Sequence, residues 1–313
     1  MKLHQLEALV IAADLGSIRA AARALNLTQA ALTKSLRQLE LEAGVAIIVR
    51  NSRGVQLTPP GLRLLQRARL VTQQLRLAAD ELKTAARDAD TGRVSVGITP
   101  FLALTTLGEA FKAFRQRYPR VAVQVSEGLV GRALPALREG AIDFALVADT
   151  GDVPGKEFAT QNLGSHAQKI VARKGHPIHQ QAAAQLTAAL AQCEWLLPGQ
   201  VTRPARGGIA AADTVNDSDE TLTGLFQRAH LVPPIQITRA HAMAGIALVR
   251  NADLVSIFPA RLLAEPECRD IIEIVAPDLK LPAIKLLYIA RADVPLTPTA
   301  AHFSQCLISA AAR

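Results

Sequence analysis

Between Leu62 and Ala89 the chain contains neither glycine nor proline, and Leu62, Leu65, Ala68, Leu75, Ala79, Leu82 and Ala86 recur at spacings of three, four or seven. That periodicity is helical. A helix of about 28 residues is about 42 Å long, which overruns the core of a small domain. Pro59 and Pro60 suit its first turn, where an amide hydrogen has no intrahelical partner. The length favours a second helix as the partner of the apolar stripe; a long intradomain helix is the alternative. Paired in that way, the helix would separate an N-terminal segment from the rest of the chain.

The N-terminal segment is short and basic. Of the net charge of +8, residues 1–70 carry +6, from ten Lys or Arg against four acids. An excess held at one end suggests a module that binds a polyanion; a merely soluble basic surface is the plainer reading. "LHQLEALVIAADL" has helical spacing and stops at Gly16; Ser17 can cap "IRAAARAL"; "NLT" turns; Thr28 can cap a third helix reaching about Glu40. "AGVAIIVRNSRGVQLT" then reads as two short β runs around the turn Asn51-Ser52-Arg53-Gly54. Helix, helix, turn, helix, hairpin is the order of a winged helix-turn-helix.

In the third helix Leu32, Leu36 and Leu39 share one face, while Gln29, Thr33 and Arg37 fall on another, flanked by Ala30 and Lys34. A helix fits the major groove of DNA, where Gln reads adenine and Lys or Arg reads guanine. Thr28 and Thr33 can bond phosphates or touch a thymine methyl, and Ala30 and Ala31 allow close approach. The wing adds Arg50 and Arg53, placed for phosphates or the minor groove. Taken alone, such a helix is more often simply amphipathic with a solvated polar face. Combined with the turn, the hairpin and the charge bias, it points to double-stranded DNA.

After residue 90 strands alternate with helices: "RVSVGI", "LTTLGEAFKAFRQRYP", "VAVQVSEG", "ALPALREGAI", "DFALVAD". That alternation implies a parallel sheet covered by helices. A second block begins near "GSHAQKIVARKGHPI", and "IIEIVAP", "IKLLYIARAD" and "TPTAAHFSQCLISAA" form a third. Half of the residues are hydrophobic, enough for sizeable cores without staples. Three scattered cysteines make neither a disulfide framework nor a metal site. No apolar run reaches the ~18 residues of a membrane span, and the N-terminal apolar run is broken by Glu7 and Asp14, so the expectation is a cytoplasmic protein. "GDVPGKE" falls one residue short of a phosphate loop, Pro177 breaks up the pair His176 and His179, and no nucleophile elbow occurs. No catalytic group can be singled out.

The residues "GSIRAAARALNLTQAALTKSLRQLE…VRNSRGVQLTPPG" resemble the N-terminus of LysR-type transcriptional regulators, and the resemblance extends more weakly over the whole chain through "YPRVAVQV", "LREGAIDFAL" and "DLVSIFP". Among members the chain is most similar to regulators of aromatic sulfonate or aromatic acid degradation operons. Where the family often has Ser-Gln-Pro-Ala, Thr28-Gln29-Ala30-Ala31 stands here, and Thr33-Lys34 replace Ser and Arg. Hydroxyl and charge are kept, but the planar guanidinium fork is lost.

The resemblance implies an α/β chain with an all-α-rich N-terminal domain: a winged helix-turn-helix over 1–58, a linker and dimerisation helix over 59–89, and an effector domain over 90–313. That last part would hold two α/β subdomains hinged like periplasmic binding proteins, one formed by 90–161 with 269–313 and the other by 162–268. The resemblance further implies a homotetramer, contact with RNA polymerase, no cofactor, and a small inducer, an aromatic carboxylate or sulfonate, in the cleft. Thr99 and Pro100 suit a helix start, whose free amides favour an anion; a capping pair with no ligand is equally open. Gly128, Leu129 and Val130 would form the cleft floor, with Phe101 and Phe144 as ring neighbours or plain core. Across the hinge, Gln200, Thr202 and Arg203 are candidates, Arg203 as a bidentate partner for an anion or as a surface cation. The alternative to the regulator is an α/β enzyme or binding protein whose helical N-terminus only dimerises.

Overall fold

The computed structural model describes residues 1–51, 54–85, 92–149, 151, 154–199 and 217–312. Three helices open the chain: α1 (Leu3–Leu15), α2 (Ile18–Ala24) and α3 (Gln29–Ala43). Ser17 Oγ accepts the Ala20 amide at 3.3 Å and Thr28 Oγ1 accepts the Ala31 amide at 3.1 Å, so both expected caps are formed. Asn26, in the turn between the caps, takes the left-handed conformation that Asn tolerates. A two-stranded antiparallel wing comes next, β1 (Ile48–Asn51) with β2 (Gly54–Leu57). Leu9, Ala12, Leu32 and Leu39 close the core between them.

Helix α4 (Pro59–Ala85) leaves this domain. Its expected stripe divides. Leu65 and Ala68 are buried in the N-terminal core against α1, whereas Leu62, Val71, Leu75 and Leu82 stay exposed. The intradomain reading therefore holds for part of the helix, while other turns keep an uncovered apolar side.

The remainder comprises β3 (Arg93–Ile98), α5 (Pro100–Thr105), α6 (Leu107–Arg117), β4 (Ala122–Glu127), α7 (Val130–Arg138), β5 (Phe144–Ala148), β6 (Phe158–His166), β7 (Gln168–Arg173), α8 (Ala183–Ala191), β8 (Glu194–Pro198), α9 (Asp217–Arg228), β9 (Ile237–Ala240), α10 (Ala242–Asn251), β10 (Leu254–Pro259), β11 (Ile271–Ile274), β12 (Ile284–Arg291) and α11 (Pro298–Ala311). Two five-stranded sheets result, ordered β4-β3-β5-β12-β6 and β11-β7-β10-β8-β9. In the first, β3 is parallel to both neighbours; in the second, β8 is parallel to both of its own. Phe114, Phe144 and Phe303 fill one core, with Phe114 and Phe303 centroids 4.8 Å apart. Trp195 centres the other, edge-on to Phe226 at 5.6 Å, its indole N–H donating to the Leu190 carbonyl at 2.9 Å.

The chain crosses between the sheets later than the sequence suggests. Strand β6 belongs to the first sheet up to His166, and β11 still belongs to the second. Residues 158–166 lie mostly exposed at a sheet edge, so they carry no apolar alternation that would mark a strand. Strand β11 is visible as "IIEI", but only its antiparallel pairing with β7 decides which sheet owns it.

Candidate functional site

The first candidate surface is α3. Leu32, Leu36 and Leu39 shut one side into the core. Thr28, Gln29, Ala30, Lys34 and Arg37 lie exposed along the other, with Thr33 half-buried between. Two exposed arginines of α2, Arg19 and Arg23, add to the basic character of the domain. The backbone of Arg50 sits in β1, opposite Val55; its side chain and the whole of Arg53 lie outside the described residues.

Two residues that the sequence reading missed hold this surface together. Glu40, at the far end of α3, accepts the amides of Ile47 and Ile48 on one carboxylate oxygen, at 2.9 and 3.0 Å. It thereby ties the helix to the first strand of the wing. Thr58 donates to the Ala46 carbonyl at 2.7 Å and accepts the Gly61 amide at 3.0 Å, so one hydroxyl joins the wing to α4. The available signal was an acid near a helix C-terminus, where the helix dipole disfavours it.

The second candidate is a cleft of about 280 Å³ between the two sheets. Sheet topology places it. Where one parallel strand is flanked on both sides by later strands, the connecting helices leave on opposite faces and a crevice opens at the carboxyl ends. Strand β3 has this position in the first sheet and β8 in the second. Accordingly Thr99, Gly128 and Ala148 line the cleft from one side and Gly199, Ala240 and Phe258 from the other. The walls are largely apolar: Phe101, Leu104, Leu129, Leu196, Ile246 and Phe258. The Gly245 position brings α10 against β8, since a Cβ there would sit 3.1 Å from Leu196 Cδ2.

Thr99 and Pro100 are at the cleft, but not in the expected manner. Thr99 stands at the N-cap position of α5 without a side-chain capping bond. Its hydroxyl accepts the Ala148 amide at 2.8 Å and points to the Gly128 carbonyl at 3.5 Å. The buried threonine thus pins together the ends of three strands, and the Leu102 and Ala103 amides turn back to its own carbonyl. Val130 is a correction. It is fully buried in the core beneath α7, because the first residue of that helix turns inward, so Gly128 and Leu129 line the cleft without it. Phe101 both lines the cleft and meets His166 edge-on at 6.4 Å, while Phe144 is core alone. Gln200, Thr202 and Arg203 lie outside the described residues.

Arg132 and His241 are the basic groups lining the cleft among the described residues, with Glu127 and Asp149 as acids. Arg132 is in the first turn of α7 and His241 is the N-cap residue of α10. Two helix N-termini therefore contribute positive dipole ends alongside these two side chains. Asp149 spends one carboxylate oxygen on the Gly151 amide at 3.0 Å. Such a setting suits the holding of a small anion. Burial raises all three cysteine thiols above their ordinary range, Cys268 to about 11, so each is protonated and a poor nucleophile at neutral pH.

Comparison with known proteins matches both halves. A family profile described as "Bacterial regulatory helix-turn-helix protein, lysR family" fits residues 3–62, and one described as "LysR substrate binding domain" fits residues 87–312. The "HTH-type transcriptional regulator TdcA" of Escherichia coli (strain K12) is 28% identical over 229 residues, 70% of this chain and 72% of that protein. The "HTH-type transcriptional regulator TfdS" of Cupriavidus pinatubonensis is 28% identical over 298 residues, 95% of each chain. The crystal structure of CbnR, described as a LysR family transcriptional regulator, superposes with a TM-score of 0.65 at 23% identity, covering 99% of both chains.

Proposed function

The chain belongs to the LysR family of bacterial transcriptional regulators, and from that premise we propose how its two surfaces divide the work. It is a DNA-binding regulator with an effector domain, not an enzyme. Gln29, Thr33, Lys34 and Arg37 read base edges from the major groove, with Ala30 letting the helix approach; Thr28, Arg50 and Arg53 hold phosphates. The observation that carries this reading is the exposed polar row on α3, opposite a face completely closed by leucines. The exposed Val71, Leu75 and Leu82, which share one side of α4, meet the same helix of a second copy, and pairs of such dimers form a homotetramer. The segments 1–58, 59–89 and 90–313 are its winged, linker and effector units.

The cleft takes a small aromatic carboxylate or sulfonate. A void of about 150 Å³ holds benzene, and this apolar cleft of about 280 Å³ leaves room for a ring with an anionic substituent near Arg132, His241 and two helix N-termini. Thr99, Pro100, Phe101, Gly128 and Leu129 belong to its wall, and Thr202 and Arg203 are proposed as further effector contacts from the sequence alone. The regulator works in the cytoplasm and activates by contact with RNA polymerase; no described helix is long and apolar enough to cross a membrane.

A fluorescence-anisotropy titration tests the reading, with the promoter DNA next to the protein's own gene against scrambled DNA at two salt concentrations. Selective binding that weakens steeply with salt is expected; equal affinity for both DNAs overturns the assignment of α3. Aromatic anions are then screened for a change in that affinity. Within the same assay, Lys34→Ala is expected to weaken specific binding by about 1–3 kcal/mol while leaving scrambled DNA less affected. An equal loss on both would make Lys34 a phosphate contact.

A further inference from the structure

Helix α7 spans from the cleft to α4. Its leading end is cleft wall, through Gly128, Leu129 and Arg132. Its trailing end leads into Glu139 and Gly140, which lie against α4. Arg69 of α4 is ion-paired with Glu139 and, at 2.5 Å, with Asp14 of α1. One guanidinium therefore joins the winged domain, the linker helix and the effector half. One turn further on, Gln73 is buried against Gly140, whose φ of 69° and lack of a side chain let the carboxamide rest on its backbone; any Cβ there would collide with it. Arg76, the next along, stands 3.5 Å from Asp143, whose other oxygen accepts the Ser95 amide at 2.7 Å.

Residues 69, 73 and 76 share one face of α4 by i, i+4, i+7 spacing. The contact is polar and incompletely paired: Gln73 Oε1 and Arg76 Nη1 are buried without a hydrogen-bond partner in the protein. Such groups regain hydration when the surfaces part, so the contact resists opening less than an apolar one of equal area. A joint of that kind can be shifted by the differential affinity of one small ligand.

We propose that α7 carries the state of the cleft to α4, with Glu139 and Arg69 as positioning residues that set the orientation of the winged domain through Asp14. The proposal rests on the reading of the cleft as the effector site. Occupancy at Arg132 and Leu129 displaces α7; the shift at Glu139 and Gly140 loosens or tightens the hold on Arg69 and Gln73; the change reaches α1 through the same guanidinium.

Hydrogen–deuterium exchange on the full-length chain, without ligand, tests the mechanical link. In Arg69→Met, peptides of α4 and the whole of α7, including its cleft end at 130–134, are expected to exchange about tenfold faster, with β3 unchanged. Arg69→Lys, which keeps the charge, restores part of the protection. The double variant Arg69→Met with Glu139→Gln exchanges no faster than Arg69→Met alone, because the two residues form one contact. Glu139→Gln by itself serves as a milder probe should Arg69→Met fail to fold. Faster exchange confined to 137–142, or fully additive effects, overturns the proposal. A second arm measures promoter affinity with benzoate and with benzenesulfonate. If either changes wild-type affinity, Arg69→Met is expected to abolish that change, and a change that persists overturns the coupling. If neither probe acts, the chosen effector class fails, and the exchange arm still decides the link.

Discussion

Replacing Gly61 by alanine destabilises the winged domain, and replacing it by valine abolishes DNA binding while the two sheets of the effector half stay folded. Gly61 is the third residue of α4, where the helix begins against the chain entering the wing. A Cβ at this position would strike the Ile47 carbonyl oxygen, 3.0 Å from the carbonyl carbon and 3.2 Å from Cγ2 of the same residue. Carbonyl and helix are both fixed, since the Ile47 carbonyl accepts the Thr58 amide at 3.0 Å and Thr58 caps α4. Neither side can yield as a flexible side chain would. Overpacking of this kind costs about 1–3 kcal/mol, and valine on a backbone clash falls at or above the upper end. The alanine variant is the sharper test because its sign is at stake. On helix propensity alone, Gly→Ala would stabilise by about 1 kcal/mol. Urea unfolding of the full-length chain, followed by probes in each half, would show an earlier transition in the N-terminal domain. A stabilised alanine variant would mean that α4 does not meet the Ile47 carbonyl so closely.

The second large effect is expected at Glu40. Its single oxygen serves two amides at the start of the wing. A hydrogen bond to a charged group contributes about 1.5–3 kcal/mol, and an amide left buried and unpaired costs about 1–3 kcal/mol. Glu40→Ala therefore lowers the stability of the winged domain by about 3 kcal/mol, discounted from the sum of two bonds because the site is half-exposed and water can take one partner. Glu40→Gln keeps an acceptor in the same place and should recover most of the loss. In footprinting, the alanine variant should lose the wing's protection of DNA before that of α3. Equal stability of both variants and wild type would show that the wing is held by β pairing alone.

Much of the N-terminal half was legible. The caps Ser17 and Thr28, the leucine face of α3 and the pairing of the two strands of the wing are local, and local chemistry is what a sequence displays most openly. The effector half was legible as a class and less so as a site. Thr99 had the residue type of a cap, yet its hydroxyl answers to Ala148 and Gly128, which only the sheet brings near. Val130 looked like cleft floor because it comes directly after Gly128 and Leu129, but a helix begins there and sends it inward. Arg132 and Glu40 escaped notice for a shared reason. A charge set near the wrong pole of a helix opposes the dipole, so propensity treats it as noise. Here such residues sit where something must be held: Arg132 at the cleft, Glu40 under the wing. Strand β6 was missed as part of the first sheet because its edge position leaves it polar.

Helix α4 meets three different surroundings on three sides: Leu65 and Ala68 toward its own winged domain, Arg69, Gln73 and Arg76 toward its own effector half, and Val71, Leu75 and Leu82 toward solvent. Its angular phase is therefore part of its function. One inserted residue rotates everything downstream by about 100°, which would turn the ion-pairing row away from Glu139 and swing leucines into its place. Seven inserted residues return the phase to within about 20° and only lengthen the rod by about 10 Å. Relatives that vary this segment should consequently do so in near-whole pairs of turns, so that alignment gaps in it come in quantised lengths rather than in a continuous spread.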